Sequence, residues 1–222
     1  MGQSPPETPP FGDGRLAPLR RRAAFRAPAV ALLALTIAVT GCHHLKPLDT
    51  APLDQAGMSY DAIQQLKKLN VTAPEISEIV HASQAGLPES DCIEILRIYR
   101  SRGQAFNAGA AVAGLAQAGL REDTILELAR LNQLGVGWGE LQAMRLAGFS
   151  DAIILEVARH HAQGKPVLGG ASLARMKNVG MTEATLLKLA RHGVPDTRAG
   201  AILSARHHGA SDAQILRRFT GS

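Results

Sequence analysis

The chain reads as an all-α protein whose short helices, antiparallel or near right angles, stack as an α-solenoid-like repeat domain. Three observations predict this: the make-up of its apolar residues, a glycine corner that recurs along the chain, and apolar stripes of helical period between the corners. Hydrophobic residues make up 45% of the 222 positions but aromatics only 4%. A core built from Leu, Ile, Val and Ala suits helix-on-helix packing.

The corner is a helix-stopping residue followed by an apolar one. It occurs at Gly86-Leu87, Gly119-Leu120, Gly135-Val136, Gly148-Phe149, Gly180-Met181, Gly193-Val194 and Gly209-Ala210, and Asn70-Val71 fits the same slot. Gly or Asn in the left-handed conformation ends a helix, and the apolar residue packs back onto its last turn. Helix-capping residues often follow, at Thr72, Ser150, Thr182 and Ser211, with a carboxylate soon after at Glu75, Asp151, Glu183 and Asp212. The hydroxyl caps the next helix and the carboxylate complements its positive end. Thr72 and Glu75 have capping-box spacing.

Each unit continues with a broad apolar stripe and a basic close, as in Ile125-Leu126-Glu127-Leu128-Ala129-Arg130 and Ile154-Leu155-Glu156-Val157-Ala158-Arg159. Apolar residues at i, i+1, i+3 and i+4 cover one helical face. A longer period is suggested by setting 119–163 against 164–208, which pairs Gly119 with Gly164, Leu128 with Leu173 and Gly148 with Gly193 at a constant offset of 45. In length alone this resembles the three-helix units of armadillo-type arrays. Periods of this size mean stacked helical units. On this reading the repeat domain spans 59–219, and the first corners fall out of phase with the rest.

The N-terminus has a different character. Residues 1–19 are rich in Pro and Gly and lack an apolar period, a disordered composition. Arg20-Arg21-Arg22 and Arg26 then precede the run Ala27–Val39, which is apolar except for Thr36. At helical rise it spans about 20 Å, short of the ~30 Å hydrocarbon layer, so a signal peptide over 1–41 is favoured over a permanent span. The run leads into Val39-Thr40-Gly41-Cys42.

That tetrad, placed after an apolar run with arginines upstream, resembles the lipobox of bacterial lipoprotein precursors. The resemblance implies cleavage between Gly41 and Cys42, diacylglyceryl transfer to the Cys42 thiol, and attachment to a membrane through that lipid. His43 stands where an Asp commonly retains Gram-negative lipoproteins in the inner membrane, which implies the outer membrane, facing the periplasm. The alternative is an ordinary secretory signal with an unrelated cysteine. Residues 42–58, with Pro47 and Pro52, read as a flexible tether.

Charge excludes a polyanion trap. Arg15, Arg20, Arg21, Arg22 and Arg26, set against only Glu7 and Asp13, account for most of the net +5, so the chain from Cys42 onward is nearly balanced. No nucleic-acid partner is expected from such a domain. The sequence Leu134-Gly135-Val136-Gly137 resembles the hairpin of helix-hairpin-helix DNA modules, but it occurs once and the equivalent corners differ.

Three other groups of residues invite a functional reading. The histidine pairs His43-His44, His160-His161 and His207-His208, with His81 and His192, hint at metal, but adjacent helical histidines point about 100° apart and the two downstream pairs fit helix C-termini. No metal or cofactor is assigned. Cys92 reads as a packed, inert thiol. Arg97, Arg130, Arg159 and Arg191 stand at one constant offset after the corners Gly86, Gly119, Gly148 and Gly180, so stacking would align them as a ridge for an acidic partner, anionic headgroups or peptidoglycan. Glu94, Glu127 and Glu156 precede the first three at i, i+3 spacing, so intrahelical ion pairs are the competing account. With no catalytic constellation evident, the leading expectation is a lipid-anchored envelope protein whose repeats bind or scaffold an envelope protein or peptidoglycan. An envelope enzyme or metal-binding protein using convergent histidines is the alternative.

Overall fold

Left-handed residues punctuate the chain at short intervals and set its architecture. In the computed structural model, which describes residues 48–221 except Val136, the helices are α1 (Ala51–Gln55), α2 (Tyr60–Lys68), α3 (Ala73–Gln84), α4 (Glu89–Ser101), α5 (Gly109–Gln117), α6 (Glu122–Arg130), α7 (Trp138–Leu146), α8 (Asp151–Ala162), α9 (Gly170–Asn178), α10 (Glu183–Arg191), α11 (Ala199–His207) and α12 (Asp212–Thr220). A 3-10 turn, Asp196–Arg198, precedes α11, and the described residues contain no strand. The tetrad that resembles a lipobox, with Gly41 and Cys42, and the pair His43-His44 lie outside the described residues.

A positive-φ residue closes each of α1 to α11: Gly57, Asn70, Gly86, Gly103, Gly119, Asn132, Gly148, Gly164, Gly180, Gly193 and Gly209. At each, the amide of the following residue reaches back five positions to a carbonyl of the last helical turn, as Phe149 does to Met144 at 3.1 Å and Gln133 to Leu128 at 2.9 Å. This is the Schellman geometry, which satisfies carbonyls that a helix end leaves open. Gly148 has φ +75°, a conformation that costs a residue bearing a Cβ. The left-handed Asn132, φ +60°, stands where the sequence placed the corner at Gly135, whose φ is not positive. The apolar residue that folds back there is Leu134, 1% exposed, and not the residue directly after the turn.

Consecutive helices pair as α1/α2, α3/α4, α5/α6, α7/α8, α9/α10 and α11/α12, and each helix also packs on the one two places away. The result is a stack of six helical hairpins in two layers, odd-numbered helices in one and even-numbered in the other. Corners inside the hairpins stand at Gly57, Gly86, Gly119, Gly148, Gly180 and Gly209, so each repeat is one helix pair long, alternately slightly shorter and slightly longer. The unit therefore has two helices, not three. The offset of 45 is one and a half repeats and laid odd helices on even ones; its identities came from corner chemistry common to both kinds of turn. In the true period the first corners fall in phase.

The core follows the same register. At one position after each hairpin corner stand Ile63, Cys92, Ile125, Ile154, Leu186 and Ile215, and almost a turn further on stand Leu66, Ile95, Leu128, Val157 and Leu189, all buried. Fully removing one such side chain from water stabilises by roughly 1.5–3 kcal/mol. The stack begins earlier than the sequence indicated. The segment 51–58, read as the end of a tether, forms α1 and its closing turn, with Leu53 and Met58 buried. So short a helix carries no periodicity, and α1 is legible only by its packing on α3.

Two glycines sit where helices approach closely. A Cβ on Gly109 would collide with the Glu78 backbone of α3, and one on Gly170 would lie 2.8 Å from Met144 Cγ of α7. Gly169-Gly170, which reads as a loose loop in the sequence, is thus the tightly packed start of α9.

Candidate interaction surface

Two sets of charges recur with the repeat, one along the corner edge and one on the outer face of the even layer. The edge set binds neighbouring hairpins. The first residue of an even helix is usually acidic, and its carboxylate accepts the amide of the residue that caps the preceding even helix. Glu89 accepts from Ser59 N at 2.7 Å, Asp151 from Arg121 N at 3.2 Å, Glu183 from Ser150 N at 2.8 Å and Asp212 from Thr182 N at 3.0 Å. The sequence placed Asp151, Glu183 and Asp212 at the start of their own helices, where they stand; the structure shows that they also fasten the preceding even one. Pro88, capping α4, has no N–H to give to Glu122.

Cations complete the edge. Arg145 donates to the Phe149 carbonyl at 3.2 Å and pairs with Asp151 at 3.2 Å, and Arg206 likewise meets the Ala210 carbonyl and Asp212. Lys177 caps the Ala147 and Gly148 carbonyls that follow α7 and lies over the Phe149 ring, 4.6 Å from its centroid. Burial pushes the Asp151 carboxyl up, but the Thr124 hydroxyl, the Arg121 amide and the charges of Arg145 and Arg121 outweigh it and hold it below the ordinary range. Asp212 is lowered in the same way: burial is outweighed by Thr182, Thr185 and Arg206.

On the opposite edge Glu75, 1% exposed, accepts from Thr72 N and Oγ1, from Phe106 N at 3.0 Å and from Arg100 at 2.6 Å. Its burial raises the carboxyl, and these four donors bring it below the usual value.

The outer set is the ridge. Arg97, Arg130, Arg159 and Arg191 fall on α4, α6, α8 and α10, so the even layer brings all four into one row. The glutamates between them do more than pair within a helix. Glu94 lies 3.8 Å from both Arg97 and Arg130, Glu127 lies 3.8 Å from Arg130 and 3.6 Å from Arg159, and Glu156 lies 3.9 Å from Arg159 and 3.8 Å from Arg191. At its start Arg97 donates to Gln65 of α2 at 3.2 Å. These are long contacts whose arginines are about half exposed, of the kind worth about 0–1 kcal/mol each.

The ladder breaks at its C-terminal end. The register that carries Gln65, Glu94, Glu127 and Glu156 carries Lys188 in α10 and Arg217 in α12, both exposed. Neither was singled out in the sequence, because that register appears only once the two-helix period is known. The break leaves Lys188, Arg191 and Arg217 together on the last two even helices.

The remaining candidates are structural. Cys92 is 1% exposed, and its thiol is pushed up to about 12 by burial, then by Asp91 and Glu89, which keeps it from forming the reactive thiolate. His160-His161 closes α8 and His207-His208 closes α11, as the sequence indicated, and His192 caps α10. His160 Nε2 lies 3.6 Å from Glu156. Among the described residues no three His, Cys, Asp or Glu side chains gather as a metal-ligating group, and no helix is long and apolar enough to cross a membrane. No protein-family model matches the chain, and no curated protein matches it.

Proposed function

We propose that this chain is a lipid-anchored envelope protein whose stacked hairpins present the even-layer face to a protein partner, as a binding or scaffolding module. The observation that carries the binding role is the Arg97–Arg130–Arg159–Arg191 row: a periodic, solvent-facing charged surface held on a packed stack, whose ion pairs among the described residues lie at 3.6–3.9 Å. Extended surfaces of this kind are what repeat proteins use for recognition. The anchor is supported by the basic and apolar run that leads into Val39-Thr40-Gly41-Cys42. Two or more acyl chains, at about 0.8 kcal/mol per buried CH₂, suffice for stable attachment. The absence of Asp at position 43 favours the outer membrane.

Growth of cells on labelled palmitate tests the anchor. Wild-type chain should take up label and fractionate with membranes, while Cys42→Ser should remain unlabelled and uncleaved. A Cys42→Ser chain that is still processed and still membrane-bound would overturn the anchoring half of the proposal.

A further inference from the structure

We infer that the C-terminal end of the even layer, around Lys188, Arg191 and Arg217, is the docking site, and that its ligand is an acidic amphipathic segment of a partner protein. The inference deepens the binding role proposed above and is independent of the anchor.

The ladder itself shows what such a cluster accepts. On α4, α6 and α8 a carboxylate sits between an arginine of its own helix and one of the next. On α10 and α12 that register is Lys188 and Arg217, so no carboxylate among the described residues takes that place, and Arg191 shares Glu156 with Arg159. Neither Lys188 nor Arg217 forms an ion pair among the described residues. An incoming Glu or Asp would continue the pattern one step further.

The surface beside the cations is apolar. The outward register that holds Asp61, Ser90 and Asp123 on α2, α4 and α6 turns to alanine at Ala152, Ala184 and Ala213 on α8, α10 and α12, and the half-buried Leu187 and Leu216 stand beside the last two. Neighbouring packed helices lie about 8–10 Å apart, so Lys188 and Arg191 on α10 and Arg217 on α12 stand on either side of one helix seam. A helix with carboxylates at i, i+3 and i+4 and apolar residues between them matches both features.

A flat anionic membrane matches less well. Along the outward registers of α2 to α8 stand five acids (Asp61, Glu94, Asp123, Glu127, Glu156) and four bases (Lys68, Arg97, Arg130, Arg159), whereas the same registers of α10 and α12 offer three bases and no acid. A plane laid on the face would meet the acidic stretch as well as the basic end. A narrow segment meets the basic end alone.

Fluorescence anisotropy on the full chain in detergent, with a labelled peptide of about 20 residues bearing Glu and Leu at helical spacing, tests the site. Binding is expected to weaken at least roughly tenfold when Lys188→Glu and Arg217→Glu are combined, and to weaken as NaCl rises from about 50 to about 300 mM. Lys68→Glu, on the same face of α2, should bind as wild type does. Because a charge reversal could disturb packing, Lys188→Gln with Arg217→Gln is measured alongside and should also weaken binding, with an unchanged circular-dichroism melt. No binding by the wild-type chain, or equal binding by both double variants, would overturn the inference. So would preferential capture on phosphatidylglycerol over phosphatidylcholine vesicles, or on peptidoglycan sacculi, that the double variants lose while the peptide does not bind. A negative peptide result leaves palmitate labelling of Cys42 untouched, and a failed label leaves the docking site untouched.

Discussion

At the corner edge, Asp151 accepts a 2.7 Å bond from the Thr124 hydroxyl and lies 3.2 Å from both the Arg121 amide and the Arg145 guanidinium, with 9% of its surface exposed. On the outer face, Glu127 stands 3.6–3.8 Å from two arginines whose side chains are about half exposed. Both patterns recur with the hairpin, and in the sequence both read as contacts within one helix, the edge acids as helix-start charges and the outer glutamates as i, i+3 ion pairs. The edge carboxylates occupy sites where unsatisfied helix-end groups must find partners, so they hold the stack together. The arginines of the outer pairs have water as an alternative partner, which leaves them available for exchange with a ligand.

Breaking an edge site should have the largest consequence. Glu75→Ala removes the acceptor of four donors in a buried position and leaves Arg100, itself one-third exposed, without its carboxylate. We expect a loss of about 3 kcal/mol, between the value of a single charged hydrogen bond and that of a fully buried pair. Urea unfolding followed by circular dichroism would measure it, and a loss under about 1 kcal/mol would place Glu75 with the outer ladder.

Acid should act on the same groups. Glu75, Asp151 and Asp212 are held below their ordinary values. A depressed carboxyl contributes stability that is fully present above its unfolded pKa, about 4, and is lost as pH falls through the folded value. The melting temperature should therefore hold steady from neutral pH to about 5 and decline below about 4. Asp151→Asn should melt lower at neutral pH and decline less steeply in acid. A decline as steep as in wild type would show that Asp151 is not among the groups responsible.

How far the sequence revealed these two patterns depended on whether the cause was local. Gly86, Gly119, Gly148, Gly180, Gly193 and Gly209 were legible as corners because the left-handed residue and the apolar residue that folds back are adjacent. Asn132 was not, since Gln133 follows it and the buried side chain is Leu134, and this displaced the corner to Gly135. The all-α class and the arginine row were legible from spacing within one unit. What crosses between units was not. The offset that paired Gly119 with Gly164 missed the two-helix period, and with it the acids that fasten the preceding even helix. The Lys188/Arg217 register and the packing of Gly170 against Met144 were missed for the same reason.

The smallest effect should come from the ladder. The Arg130 side chain is 51% exposed and among the described residues pairs only with Glu94 and Glu127, each at 3.8 Å. Arg130→Ala leaves neither carboxylate alone, since Glu94 keeps Arg97 at 3.8 Å and Glu127 keeps Arg159 at 3.6 Å. The main-chain carbonyl of Arg130 is filled by Arg102 whatever side chain stands there. The lost Coulomb term is already screened by water, and the shortened side chain no longer pays the entropy of being held. Stability should change by no more than about 0.5 kcal/mol, and the difference should shrink further in about 0.5 M NaCl. Urea midpoints at low and high salt would measure both. A loss above about 1.5 kcal/mol that persists in high salt would make the outer row a second set of structural clamps, and the contrast between the two faces would fall.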